Sequence, residues 1–341
     1  MPGVRRSSFA LAPSFPAAVF AAVLVSAVVG GDVLSRTVPT MRGPGPTTMA
    51  AWRPSGGDHY LANDVSGHLD HHVIYFGTDA EVTARIRTAK VLFLGNSRLL
   101  FALRPEELRP FFAAQSVPYY VMGFGYREAD RFPLAIIRKF DLHPRLVVVN
   151  ADGFFGGGLS EWAEVVNRDT PFAARKRQLE GEAAHEARRN IERLVPNWLQ
   201  VFGLPGLGLR RSFNAYRSRT DGTWEISPWP DGTKAFVAPS LEGRALAPDE
   251  VAAAREFMAE LDARGSRLVL THVPTPEPMP GAGPARFAEL LGVPLVTAAV
   301  PALTTHDDSH LSQGSARDWS RAFVAALAPY VRALAGGQTT P

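Results

Sequence analysis

The chain has 341 residues, 46% hydrophobic and 20% charged, with a formal net charge of +3. That is enough chain for a globular body with a sizeable core, and no Lys/Arg run resembles a nucleic-acid-binding arm. The absence of cysteine excludes disulfides, thiolate catalysis and cysteine-ligated zinc or iron–sulfur centres.

Arg5 and Arg6 precede a stretch from Ser7 to Gly31 without a charge. A helix needs roughly 20 residues to span a bilayer core, so residues 1–31 read as a single-pass anchor. The arginines on the amino side place the start in the cytoplasm and the body on the extracytoplasmic, periplasmic side. Val25-Ser26-Ala27 is a candidate signal-peptidase site, so a cleaved secreted form is the alternative. Residues 32–60 are rich in Pro, Gly and Thr and read as a linker. The body then spans 61–341, with an inserted segment at about 155–245.

Within the body, His68, His71 and His72, with Asp70 between, have helical i, i+3, i+4 spacing that metal ligands can share. Packing at the domain entrance is the preferred reading, and no metal site is expected. Short, consecutively apolar runs follow: "KVLFLG" at 90–95, "PYYVMG" at 118–123, "RLVVVNAD" at 145–152, "SRLVLTHVP" at 266–274 and "VPLVTAAV" at 293–300. Strands covered on both faces read this way. Helical stretches such as "EADRFPLAIIRKF" at 128–140 separate them, which predicts an open α/β sandwich with a parallel sheet. The middle segment shows helix at 182–194 but no clear strand rhythm. Its Trp198, Phe202, Trp224 and Trp229 alternate with Arg210, Arg211, Arg217 and Arg219. They either line a carbohydrate or lipid surface or fill the segment's own small core.

Ligands of open parallel sheets bind beyond the carboxyl ends of the strands. Those ends carry Gly95-Asn96-Ser97, then Gly123 and Gly125, then Asn150 and Asp152, then His272. Near the far end of the chain, Asp307-Asp308-Ser309-His310 precedes a predicted helix. Ser315 is its candidate cap, and Trp319, Phe323 and Leu327 form its apolar stripe.

Gly95-Asn96-Ser97 after the first strand, a glycine after the second and Asp307-x-x-His310 before the last helix resemble the SGNH (GDSL-like) hydrolase superfamily. The likeness extends from about 88 to 335. It implies a flavodoxin-like three-layer sandwich and a triad of Ser97, His310 and Asp307. Gly123, Gly125 and the Asn150 side chain would be oxyanion donors. The chain departs from the family pattern in having Gly-Asn-Ser for Gly-Asp-Ser, and "NADG" at 150–153 where Gly-x-Asn-Asp is usual. Such departures resemble exported members that handle cell-envelope acyl groups.

In chemical terms Ser97 needs a base to become a nucleophile. His310 would take its proton, and Asp307 would fix the imidazole tautomer. Ser97 as a mere helix cap is the bland alternative. Asp308 is a geometrically poorer carboxylate than Asp307. Arg98 either pairs with an acidic substrate group or forms a structural ion pair, and His272, Trp224 and Trp229 are further candidates for substrate contact. No cofactor is implied. The expected activity is acyl transfer to a cell-envelope or secreted polysaccharide, with a membrane acyltransferase as a candidate donor partner. A glycan O-acyl esterase with the same triad is the first alternative, and a non-catalytic membrane-tethered scaffold is the second.

Overall fold

The computed structural model describes residues 57–336, apart from 65–66, 126–127, 157, 195–213, 228, 230–233, 239 and 277–281. In chain order come β1 (His59–Asp64), β2 (Gly67–His68), α1 (Asp70–Phe76), α2 (Ala80–Thr88), β3 (Val91–Leu94), α3 (Ser97–Ala102) and α4 (Pro105–Gln115). There follow β4 (Tyr119–Val121), α5 (Arg131–Phe140), β5 (Leu146–Asn150), α6 (Glu161–Arg168), α7 (Pro171–Leu194), β6 (Asn214–Ser218), β7 (Trp224–Ser227) and β8 (Lys234–Ala235). The chain closes with α8 (Pro248–Ala263), β9 (Arg267–Thr271), α9 (Pro284–Leu291), β10 (Leu295–Val296), β11 (Thr304–Thr305) and α10 (Gln313–Ala335).

The apolar runs form one five-stranded sheet in the order β10-β9-β5-β3-β4, parallel throughout. Every residue of β3, β4 and β5 is buried, which is why these strands carry no polar alternation. The chain moves outward from β3 to β4 and then back across β5, β9 and β10. Right-handed crossovers running in opposite directions place their helices on opposite faces. Thus α4 and α10 pack together on one side, where Phe93 meets Phe112 and Phe323. On the other side, Arg138 of α5 binds Glu256 and Glu260 of α8. Trp319, Phe323 and Leu327 are fully buried, as the stripe on α10 predicts. Strand order reverses between β3 and β5, and the crevice that opens there is the usual ligand position of such sheets.

A second sheet, antiparallel in the order β2-β1-β6-β7, corrects the reading of the middle segment. β6 and β7 lie within it and pair with each other, and β6 also pairs with β1. β1 begins at His59, inside the stretch read as linker. The strands of the middle segment escape hydropathy because β6 reads Asn-Ala-Tyr-Arg-Ser, and its arginine points inward.

The β6–β7 hairpin is pressed onto β4, the edge of the parallel sheet. The Val121 amide donates to the Asp221 carbonyl at 2.8 Å. Gly222 has φ +75°, and a Cβ there would lie 2.4 Å from the Val121 carbonyl oxygen, so only glycine fits. An exposed strand edge is thereby covered. Arg217 welds the two sheets and is itself wholly buried. It binds Asp70 through Nε at 3.0 Å and Nη2 at 2.8 Å. It also donates to the carbonyls of Val121, Gly123 (2.6 Å) and Gly222 (3.1 Å). Trp224 Nε1 donates to the same Asp70 carboxylate at 3.2 Å.

Among the described residues no helix is long and apolar enough to cross a membrane; the 1–31 segment lies outside them. Removing one member of a buried, hydrogen-bonded ion pair strands the other charge. Arg217→Ala is expected to lower unfolding stability by about 3–5 kcal/mol in urea titrations. Asp70→Leu/Arg217→Met together should recover only part of that loss, because the carbonyls of Val121, Gly123 and Gly222 and the Trp224 indole lose their partners.

Candidate active site

The loop after β3 owes its shape to three consecutive residues. Gly95 has φ +154°, and a Cβ on it would sit 2.9 Å from Asn150 Cβ. Asn96 is the cap of α3: its Oδ1 accepts the Arg98 amide at 3.1 Å, and its Nδ2 donates to the Asp152 carbonyl at 3.0 Å. The neighbouring Asn96 therefore does the capping, and Ser97 is the first helical residue with its hydroxyl free for other work.

The Asp307-x-x-His310 turn reaches Ser97 from the far end of the chain. β11 pairs with β8 just before it, and Thr305 bridges to Leu311 just after, so the turn is pinched at its base. Asp307 Oδ1 accepts the amides of Ser309 (3.0 Å) and His310 (2.7 Å). This leaves Oδ2 for His310 Nδ1 at 2.7 Å. His310 Nε2 lies 2.8 Å from Ser97 Oγ. The imidazole rests on the Phe101 ring, with centroids 4.3 Å apart. Phe101 stands one helical turn beyond Ser97, so α3 carries both the serine and the floor under its histidine. Asp308, at φ +63°, turns away to Lys234 at 2.6 Å. The cap of α10 is Ser312, which accepts the Ser315 amide. Ser315, the expected cap, instead uses its hydroxyl on the Thr304 amide at 2.8 Å.

Burial would raise the Asp307 carboxyl, but the hydrogen bond and charge of His310 hold it far below the usual carboxylate range. Asp307 is therefore ionised at neutral pH. It favours the tautomer with the proton on Nδ1 and the lone pair on Nε2, facing Ser97.

The other expected site residues are divided by the structure. Gly123 abuts the serine loop: a Cβ on it would lie 3.0 Å from the Gly95 carbonyl oxygen. Among the described residues its amide, like that of Ser97, has no hydrogen-bond partner. Gly125 is buried two residues further on. Asn150 is fully buried, with Oδ1 accepting the Val273 amide at 3.1 Å and Nδ2 facing Asn96 Oδ1 at 3.4 Å. It ties the ends of β3, β5 and β9 together.

Arg98 is also buried, and its Nη1 binds Asp152 at 2.6 Å while Nε reaches Ser309 Oγ at 3.2 Å. It clamps the histidine turn to the end of β5 and takes the structural of its two readings. His272 is mostly buried near Asp152 and Arg98. Trp224 does not line a surface: its bond to Asp70 belongs to the inter-sheet weld. Trp229 packs on Phe101 and beneath the Arg104 guanidinium. Of the middle-segment residues, Trp198, Phe202, Arg210 and Arg211 lie outside the described ones. The histidine cluster serves packing: His71 binds Glu128 at 2.9 Å and His72 binds Asp169 at 2.8 Å.

Two neighbours of the triad had no sequence signal of their own. Phe101 looked like any core residue of an apolar helix. His306, beside the Asp-x-x-His pattern, stacks on His310 at 5.5 Å.

No protein-family model matches the chain, and no curated protein matches it in sequence. Among solved structures it is similar to a Bacteroides fragilis protein described as a "putative acylhydrolase". Identity is 13%, coverage is 75% of this chain and 95% of that one, and the TM-score is 0.34. What the site can do is decided by its own residues.

Three imidazoles give the fold a definite acid sensitivity. Burial lowers the pKa of His272, opposed by Asp152, that of His72, opposed by Asp169, and that of His306, opposed by Asp307. An imidazole with a depressed pKa takes up its proton more readily in the unfolded chain. Between the ordinary 6.5 and the lower folded value, the unfolded state therefore binds more protons, and stability is lost as the pH is lowered. The melting temperature should drop as pH is taken from 7.5 to 5, with a smaller drop in His272→Gln.

Proposed function

We propose that the chain is an SGNH-type serine-dependent acyl-ester enzyme. The observation that carries this reading is the continuous relay from Ser97 Oγ through His310 to Asp307 Oδ2, with contacts of 2.8 and 2.7 Å. Within it, Ser97 Oγ attacks the ester carbonyl while His310 Nε2 accepts the hydroxyl proton. Asp307 stabilises the resulting imidazolium without taking the proton. The amides of Ser97 and Gly123 are the donors for the tetrahedral oxyanion. Collapse of that intermediate breaks the ester C–O bond, His310 returns its proton to the leaving oxygen, and the acyl group stays on Ser97. An acceptor hydroxyl then loses its proton to His310 and attacks the acyl carbon, which restores Ser97.

The acceptor we propose is a hydroxyl of an exported or envelope polysaccharide. Support comes from the middle segment. Its β8 strand pairs beside the histidine turn, Lys234 binds Asp308, and Trp229 packs on the Phe101 floor. A cover so placed favours a bound acceptor over bulk water. Anchoring by residues 1–31, with the body outside the cytoplasmic membrane, suits such a substrate. So does an acyl supply from a membrane-bound acyltransferase.

The test is intact-protein mass after reaction with p-nitrophenyl acetate. Wild type should gain one acetyl group on Ser97, and Ser97→Ala none. Turnover in Ser97→Ala or His310→Ala should fall by about 10⁴-fold or more. Added oligosaccharide should shorten the acetyl-enzyme lifetime and appear acetylated. Unchanged lifetime with free acetate as sole product would make the enzyme an esterase. No Ser97 adduct on folded protein would leave a non-catalytic scaffold.

A further inference from the structure

His306 stands outside the relay, yet its placement is specific. Its side chain is 3% exposed, and its Nε2 lies 3.5 Å from Asp307 Oδ2. The same carboxylate oxygen is 2.7 Å from His310 Nδ1. One oxygen is thus faced by two imidazole nitrogens from two nearly parallel rings, 14° apart. No hydrogen bond of ordinary geometry ends on either nitrogen of His306 among the described residues, although the Leu311 backbone lies close enough to act on the ring. A buried polar group left unspent calls for a ligand or an explanation, and a phenyl ring would stack on Phe101 equally well. One ligand atom from each of His306, Asp307 and His310 lies within 4.8 Å of the others.

We propose that His306, Asp307 and His310 form a site for a borderline divalent transition metal, Zn²⁺ above all, and that its occupation switches off the Ser97–His310 pair. Two imidazoles and one carboxylate, with a fourth position for water, are a zinc-type ligand set. Around a tetrahedral ion with bonds of about 2.0–2.1 Å, neighbouring ligand atoms stand about 3.3–3.4 Å apart. The His306–Asp307 edge is already close to that. The His310–Asp307 edge must widen, and Asp307, at 43% exposure, has room to swing. The ion takes the Nδ1 lone pair of His310 in its other neutral tautomer, so the ring's single proton moves from Nδ1 to Nε2. With Nε2–H facing Ser97 and Asp307 drawn to the ion, the ring can no longer accept the Ser97 proton. Hard ions such as Mg²⁺ and Ca²⁺ prefer all-oxygen sites and should leave the site alone.

The inhibition arm of the test rests on the serine-enzyme reading, and the binding arm does not. For binding, full-length Ser97→Ala is titrated with Co²⁺ as a visible probe and then with Zn²⁺ in competition. A d–d absorption band should rise to one equivalent, vanish on adding Zn²⁺, and be missing from Ser97→Ala carrying either His306→Gln or His306→Phe. For inhibition, Zn²⁺ at about 10–100 µM should slow wild-type p-nitrophenyl acetate turnover by at least about tenfold, reversibly with a chelator. The single variants His306→Gln and His306→Phe should keep their turnover under the same Zn²⁺. His306→Phe preserves the ring stack, which guards against a folding defect in His306→Gln. Absence of a Co²⁺ band, or a band that survives both His306 substitutions, would overturn the site whatever the turnover assays give. Equal Zn²⁺ inhibition of wild type and both variants would overturn the switch.

Discussion

The buried Arg217 joins the two sheets of this molecule: Asp70 of α1 neutralises it, and from β6 it reaches the carbonyls of Val121 and Gly123 at the end of β4. A guanidinium inside a protein must spend its donors, because desolvation makes each idle one costly. Arg217 spends them on one carboxylate and on the carbonyls of Val121, Gly123 and Gly222. That single side chain therefore covers the β4 edge, seats the β6–β7 hairpin and fixes the backbone on either side of Gly123. The antiparallel sheet is a brace on the loop that meets Gly95 and the Ser97 turn.

A second clamp acts on the other lip of the crevice. The pair Arg98–Asp152, also buried, fastens the end of β5 to the histidine turn through Ser309. Asn150 and Asn96 extend the same lattice to the ends of β9 and β3. The relay is then held from three sides: by the α3 cap beneath Ser97, by the Asp307 turn bonds behind His310, and by the Phe101 face below the ring. Preorganisation of this kind is what the proposed chemistry needs, since a serine hydroxyl gains nothing from a base that wanders.

The sequence carried these features unevenly. The runs at 90–95, 118–123, 145–152 and 266–274 were legible as strands because burial on both faces removes polar alternation. The run at 293–300 shrank to Leu295–Val296, as a two-residue edge strand leaves little trace. β6 and β7 were invisible because Arg217, Tyr216 and Asn214 look like a solvated surface until their partners are known. Trp224 misled for the same reason: an aromatic beside arginines suggested a binding face, and the structure turns both inward.

Ser97, His310 and Asp307 could be paired on paper from residue types, spacing and position at strand ends. Chain order also put a glycine beside the serine loop. These are local properties, fixed by which residue follows which. Only the fold could decide that Asn96 caps α3 so that Ser97 need not, that Arg98 and Asn150 bind the interior, and that His306 lies against Asp307. Each of those depends on what stands opposite a side chain across a long stretch of chain; Ser97 and His310 are 213 positions apart. Hydropathy and spacing report a residue's own chemistry, whereas burial and hydrogen-bond partners belong to pairs, and pairs exist only once the chain has closed on itself.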